Sequence, residues 1–175
     1  MKLLVAYAST EGQTRKIARH VTDRLADAEH TVELLPLADA DGLDPARFDG
    51  AVLAASVHAG HYQPALAAFV EAHRGWLAAH PTLFLSVSLC AAGHEAEDWR
   101  ALDRVAADFA DATGWSPGAV MQVAGAYRPS RYDLVRRFVM RRIVAAKDPG
   151  ADLDAEIEYT DWAALDAGLD HWLAR

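Results

Sequence analysis

Ser9, Thr10, Glu11, Gly12, Gln13 and Thr14 place three hydroxyls, a carboxylate, a carboxamide and a glycine in six consecutive positions. Their flanks say what such a string can do. Met1 to Ala6 is a short apolar run around Leu3, Leu4 and Val5, which reads as a strand buried on both faces. Thr14 to Ala28 repeats Ile17, Val21 and Leu25 at helical spacing, with Arg15, Lys16, Arg19 and Arg24 mostly off that line. A loop between a strand end and a helix start is an anion cradle, because the unpaired amides of the helix N-terminus point outward and the helix dipole favours negative charge. The hydroxyls of Ser9, Thr10 and Thr14 add donors, and Gly12 lets the backbone come close to the anion.

The loop lacks the Gly-rich dinucleotide fingerprint and has no Lys followed by Ser or Thr, as triphosphate-binding loops do. Without a lysine and with an acidic Glu11, it suits a monophosphate held by neutral donors.

The elements that must position this loop follow from the rest of the chain. With 175 residues, 52% of them apolar, a single well-cored domain over residues 1–175 is expected. No apolar run reaches the ~18 residues of a spanning helix and no signal-peptide pattern opens the chain, so a cytoplasmic protein is expected. Cys90 is the single cysteine, which excludes an internal disulfide, and the scattered histidines, with His58 and His61 the close pair, form no metal-binding pattern.

Thr31 to Leu35 alternates as a second strand, Phe48 to Ala55 reads as a buried third, Leu83 to Val87 as a fourth and Val120 to Ala124 as a fifth. Between them, Pro64 starts a helix carrying Leu66, Phe69, Val70 and Leu77, and a helix from about Asp98 carries Leu102, Val105, Ala106 and Phe109 up to Gly114. The last helix runs from Asp161 with Thr160 as its expected N-cap and buries Leu165, Leu169 and Trp172. Strands alternating with helices imply an α/β protein, a parallel sheet wrapped on both faces, with ligands beyond the carboxyl ends of the strands. The loops after the first, third and fourth strands converge there.

One piece exceeds this pattern, an insertion at about residues 127–158. The net charge of −8 conceals its basic part: from Arg128 to Lys147, Arg128, Arg131, Arg136, Arg137, Arg141, Arg142 and Lys147 stand against Asp133 alone, giving +6 over those residues and −14 over the rest of the chain. Such an island points to a local anionic partner, whereas the acidic remainder disfavours nucleic acid. Tyr132 to Lys147 plots as an amphipathic helix, with Leu134, Val135, Phe138, Val139, Ile143 and Ala146 on one side and Arg136, Arg137, Arg141 and Lys147 on the other. Arg142 alone interrupts the apolar side. The segment can lie on an anionic bilayer or cover a ligand site.

The string from Tyr7 to Thr14 resembles the phosphate loop of flavodoxin-like proteins, whose ligand is flavin mononucleotide (FMN). That resemblance implies a doubly wound five-stranded parallel sheet of order 2-1-3-4-5. It also implies that Ser56, Val57, His58, Ala59 and Gly60 lie beside the isoalloxazine ring, with His58 and Tyr62 able to stack or donate. Ser88, Leu89, Cys90 and Ala91 would form the other flank, Cys90 as a packed or flavin-contacting thiol. Trp99 and Trp162, at helix starts, read as core or rim aromatics.

The likeness then narrows. Glu11 to Arg15, Ala55 to Tyr62, Gly125-Ala126 followed by Arg128, Arg131 and Tyr132, and Tyr159 to Trp162 resemble the bacterial flavodoxin-like protoporphyrinogen oxidases over nearly the full length. In those relatives the loop after Ser88 is more basic than Ala91 to Asp98 is here, so no substrate role is carried over to it. The resemblance implies oxidation of protoporphyrinogen IX to protoporphyrin IX in haem synthesis, with electron pairs passing through FMN to menaquinone or ubiquinone. It further implies peripheral association with the inner face of the cell membrane. The basic residues of the insertion would serve the substrate propionates, the membrane or both. The cofactor carries the redox step, so no side chain is expected as acid or base. A carrier flavodoxin, an NAD(P)H:quinone reductase of the same fold and a non-enzymatic membrane module are the alternatives.

Overall fold

The computed structural model describes residues 1–175. Strand β1 (Lys2–Ala8) leads through the hydroxyl-rich loop into helix α1 (Gln13–Asp27), and β2 (Thr31–Pro36) follows. Two short 3₁₀ turns precede β3 (Gly50–Ser56), α2 (Pro64–Ala79) and β4 (Thr82–Ser88). Then come α3 (Ala96–Thr113) and β5 (Ala119–Ala124). The five strands are parallel in the order β2-β1-β3-β4-β5, the order expected from the sequence.

Alternation along each strand builds two cores. Leu3, Val5, Val52, Ala54, Leu83 and Leu85 pack with Ile17, Val21 and Leu25 of α1 on one face. Leu4, Ala6, Leu53, Ala55 and Phe84 pack with Leu66, Phe69, Val70 and Leu77 of α2 on the other. Helix α3 is shallower than its pattern suggests: Leu102 is buried, but Val105, Ala106 and Phe109 are only partly covered. Gly114 ends it at φ +66, as a left-handed C-cap favours.

The insertion contains β6 (Ala126–Tyr127), α4 (Leu134–Lys147) and β7 (Ile157–Glu158), and α5 (Trp162–Leu173) closes the chain. β6 and β7 pair antiparallel, so the insertion leaves and returns through a two-stranded neck that period counting missed, since two-residue strands have no period. Asp133 caps α4 by accepting from Arg136 N at 2.8 Å, which starts the helix two residues later than expected. The α5 cap is likewise corrected. Asp161 accepts from Ala164 N, whereas Thr160 donates to Ala124 O and accepts from Gln13, so a residue that suits a cap is used as a tie between elements. No helix is long and apolar enough to cross a membrane.

Candidate functional site

Parallel strands end side by side, so the loops after β1, β3 and β4 meet above the sheet. A narrow cleft of about 50 Å³ there is lined by Ser9, Glu11, Gln13 and Thr14, by Ser56, Val57 and His58, and by Ser88 and Leu89. Gly125, Ala126, Tyr132, Arg136 and Met140 complete it from the insertion side. Through Val57, His58, Ser88, Leu89, Arg136 and Met140 it opens into a groove of about 470 Å³, bordered by Ala59, Gly60, Cys90, Val135 and Val139. Thr10, Gly12 and Ala91 line neither space, though Thr10 accepts from Gln63 Nε2 at 3.3 Å.

The first loop is built to receive an anion. Gly12 sits at φ +95 before α1 and its N–H donates to Ser9 Oγ at 3.0 Å. The amides of Thr10, Glu11, Gln13 and Thr14 find no acceptor in the protein. Four donors without partners at a helix N-terminus are what a phosphate satisfies. The buried Gln13 side chain is not among them. Its Nε2 donates to Thr160 Oγ1 at 2.9 Å and Glu158 Oε2 at 3.0 Å, and its Oε1 accepts from Arg128 Nη2 at 2.9 Å, which pins both ends of the insertion to the loop.

The second loop is held stiff. His58 and His61 exchange backbone hydrogen bonds at 2.8 and 3.0 Å around Ala59 at φ +49 and Gly60 at φ +79, a two-residue turn in which both central positions are left-handed. Ser56 Oγ accepts from Gln63 Nε2 and lies 3.0 Å from His58 Nε2. Burial lowers the His58 pKa, opposed by Glu11 and aided by Arg136, so the ring is neutral at neutral pH. Tyr62 does not face the ligand space as the sequence suggested. It packs edge-on against Phe84 and Phe109, with its hydroxyl 2.8 Å from Ser86 Oγ, because an aromatic cluster lies beneath that loop.

The third loop carries Ser88, whose Oγ accepts from Ala91 N at 3.2 Å, and Cys90, half-buried at the groove with its thiol pKa pushed up by burial. Of the two tryptophans, Trp99 is a rim residue donating to Gly93 O, and Trp162 donates to Glu158 Oε1.

Helix α4 roofs the cleft with an unexpected orientation. Two of its cations reach the body, Arg136 pairing with Glu11 at 2.9 Å and Lys147 with Asp98, while Arg141 and Arg137 pair with Asp154 of the insertion's own return segment at 2.6 and 3.6 Å. Arg128 donates to Glu11 O and Gln13 Oε1. Arg131 is exposed without a partner, and Arg142 is exposed with its guanidinium 5.9 Å from the Phe138 ring centre. The outward side is apolar, leaving Leu134 86%, Val135 77%, Phe138 62% and Val139 47% exposed. Met140 and Tyr132, which the residue pattern did not mark as site residues, enter the cleft; Met140 had no signal beyond its place in an amphipathic helix.

Comparison with known proteins agrees with this architecture. The flavodoxin domain family matches residues 4–154. The chain is 31% identical over 172 residues to the protoporphyrinogen IX dehydrogenase [quinone] of Leishmania major, covering 94% of this chain and 71% of that one. It is 30% identical over 162 residues to the protein of the same name from Escherichia coli K12, covering 93% and 89%. Oxidised flavodoxin 1 from Bacillus cereus superposes with a TM-score of 0.61 over 100% of this chain and 99% of its own at 12% identity, a likeness of fold alone.

Proposed function

We propose, from the premise that this chain belongs to the flavodoxin domain family and within it to the quinone-dependent protoporphyrinogen IX dehydrogenases, that it binds FMN and oxidises protoporphyrinogen IX, with a membrane quinone as acceptor. The observation that carries the reading is the set of four partnerless amides beside Gly12, at the mouth of a cleft where three strand loops meet. These residues fit a flavin monophosphate. Ser9, Thr14 and the amides of residues 10, 11, 13 and 14 would hold the phosphate, with Val57 to Gly60 and Ser88 to Ala91 flanking the ring. Bound there, FMN supplies reversible two-electron acceptance.

The protein's own residues supply position. The rigid turn at Ala59 and Gly60 fixes one wall, and Met140, Val139 and Val135 of α4 make the adjoining groove apolar enough for a tetrapyrrole or a quinone ring. An electron carrier has no need of such a roofed groove. Anaerobic reduction of the FMN-loaded protein by protoporphyrinogen, compared with NADH and NADPH, tests the assignment. Reduction by the porphyrinogen and reoxidation by a soluble quinone support it; brisk NADPH-driven quinone reduction without porphyrinogen turnover moves the protein to the reductase class.

Peripheral placement on the membrane belongs to the same reading, and the structure changes which face would serve it. Leu134 and Phe138, outside the groove, look outward, with Arg142 against the Phe138 ring and Arg131 exposed, a combination suited to the headgroup boundary of an anionic bilayer. Phe138→Glu should lower co-sedimentation with anionic vesicles while FMN binding persists. Unchanged sedimentation removes the face from the proposal.

A further inference from the structure

A carboxylate inside an anion-binding loop works against its ligand, and Glu11 is such a carboxylate. It lines the cleft beside Ser9 and Thr14, and its side chain is only 13% exposed, so solvent screens it poorly. The sheet offers it little compensation. His58 Nε2 is 3.5 Å from Oε2, but burial keeps that ring neutral.

The compensation comes from the insertion. Arg136 Nη1 donates to Glu11 Oε1 at 2.9 Å, and Arg136 itself lines the cleft with the loop. Arg128 Nη1 donates to the Glu11 carbonyl at 3.0 Å and stands so close behind the loop that a Cβ on Gly12 would lie 3.3 Å from it. Two guanidiniums therefore converge on the three residues 11–13, and both arrive from a segment more than a hundred positions away in the chain.

We infer that Arg136 and Arg128 are positioning residues of the cofactor phosphate site: by neutralising Glu11 and holding the loop, the insertion makes the cradle net positive and so able to take a dianionic monophosphate. This rests on the FMN reading and deepens it, moving these two arginines from the substrate or the membrane to the cofactor. Neutral donors alone do not account for the site, because the loop brings its own negative charge. A charged partner held in a geometry with poor screening contributes more than an exposed pair does.

The test compares FMN with riboflavin, which share the ring and differ in the phosphate, by titrating apo-protein and following flavin fluorescence quenching. The wild type should prefer FMN. Arg136→Ala should weaken FMN at least ten-fold, which is about 1.4 kcal/mol, while riboflavin changes by less than two-fold; Arg136→Lys should keep most of the preference. Adding Glu11→Gln to Arg136→Ala should restore most of the FMN affinity, because the charge that needed neutralising is gone. Loss of both flavins in equal measure, or no rescue by Glu11→Gln, would show that Arg136 serves only to pack α4 and overturns the inference. A wild type that binds both flavins equally overturns the phosphate-site reading itself, and this inference falls with it. A folding defect in Arg136→Ala would weaken riboflavin as much as FMN, so the riboflavin titration separates it from a loss specific to the phosphate.

Discussion

Helices α1 and α4 both border the hydroxyl-rich loop and both are amphipathic, yet α1 turns its apolar side inward, whereas α4, apart from the buried Val144, keeps most of its apolar side outward. Helix α1 buries Ile17, Ala18, Val21 and Leu25 and leaves Arg15, Lys16 and Arg19 in solvent. Helix α4 leaves Leu134, Val135, Phe138 and Val139 in solvent and turns Arg136, Arg141 and Lys147 toward Glu11, Asp154 and Asp98. The surface each helix lands on explains the contrast. α1 meets the face of a sheet, which is apolar by alternation. α4 meets the carboxyl ends of the strands, where loops carry carboxylates, hydroxyls and free amides. An amphipathic helix matches its counter-surface, and only the first kind of counter-surface rewards burial of its apolar side.

Core truncation should separate the two helices most sharply. Leu25→Ala on α1 removes a fully buried side chain and should cost about 2–5 kcal/mol in chemical denaturation, whereas Leu134→Ala on α4 should stay within about 0.5 kcal/mol. A large loss at Leu134 would mean that α4's outer side is covered in the native protein.

Next in size is Gln13, where the two regions are joined. Gln13→Ala leaves Arg128 short of one acceptor and Thr160 and Glu158 short of a donor, at a cost of about 1–3 kcal/mol. Because the lost bonds hold the neck of the insertion, limited proteolysis should cut between residues 128 and 158 faster in this variant than in the wild type. Unchanged cleavage would show that the neck is held by other contacts.

Smaller still is the pair at the solvent edge of α4. Arg141→Ala should cost only about 0.2–1 kcal/mol, because Asp154 is 73% exposed and solvent screens the pair.

The smallest expected effect is a pH slope. His58 is held below its ordinary 6.5 by burial, so between that value and its folded pKa the unfolded chain binds a proton that the native protein does not. Stability is therefore full above about pH 6.5 and declines as the pH falls through that window; His73, lowered the same way by burial, adds to the decline. His58→Gln should flatten the slope in urea melts between pH 7 and 5. An unchanged slope would assign it to other groups.

Much of this could be read without a structure because it is local. The strand before Tyr7, the apolar line of α1, Pro64 opening α2 and Gly114 closing α3 follow from period and from backbone preference, and those suffice for the sheet order once the chain's likeness to flavodoxins is added. The convergence of the Ser9, Ser56 and Ser88 loops follows too, since parallel strands end together. Tyr62 and Thr160 could not be placed this way. An exposed-looking tyrosine went to Phe84 and Phe109, and an apparent cap went to Gln13 and Ala124, partners that no spacing rule connects to them.

The insertion divides the two kinds of information most clearly. Its length, its charge and the amphipathic character of residues 132–147 are properties of the sequence, because periodicity is written in neighbours three and four positions apart. Which side of that helix faces inward is decided by Glu11 and Asp98, residues that meet it only after the chain has folded. A hydrophobic pattern specifies that a helix has two sides, and ion pairing with distant carboxylates specifies which of them the protein keeps for itself.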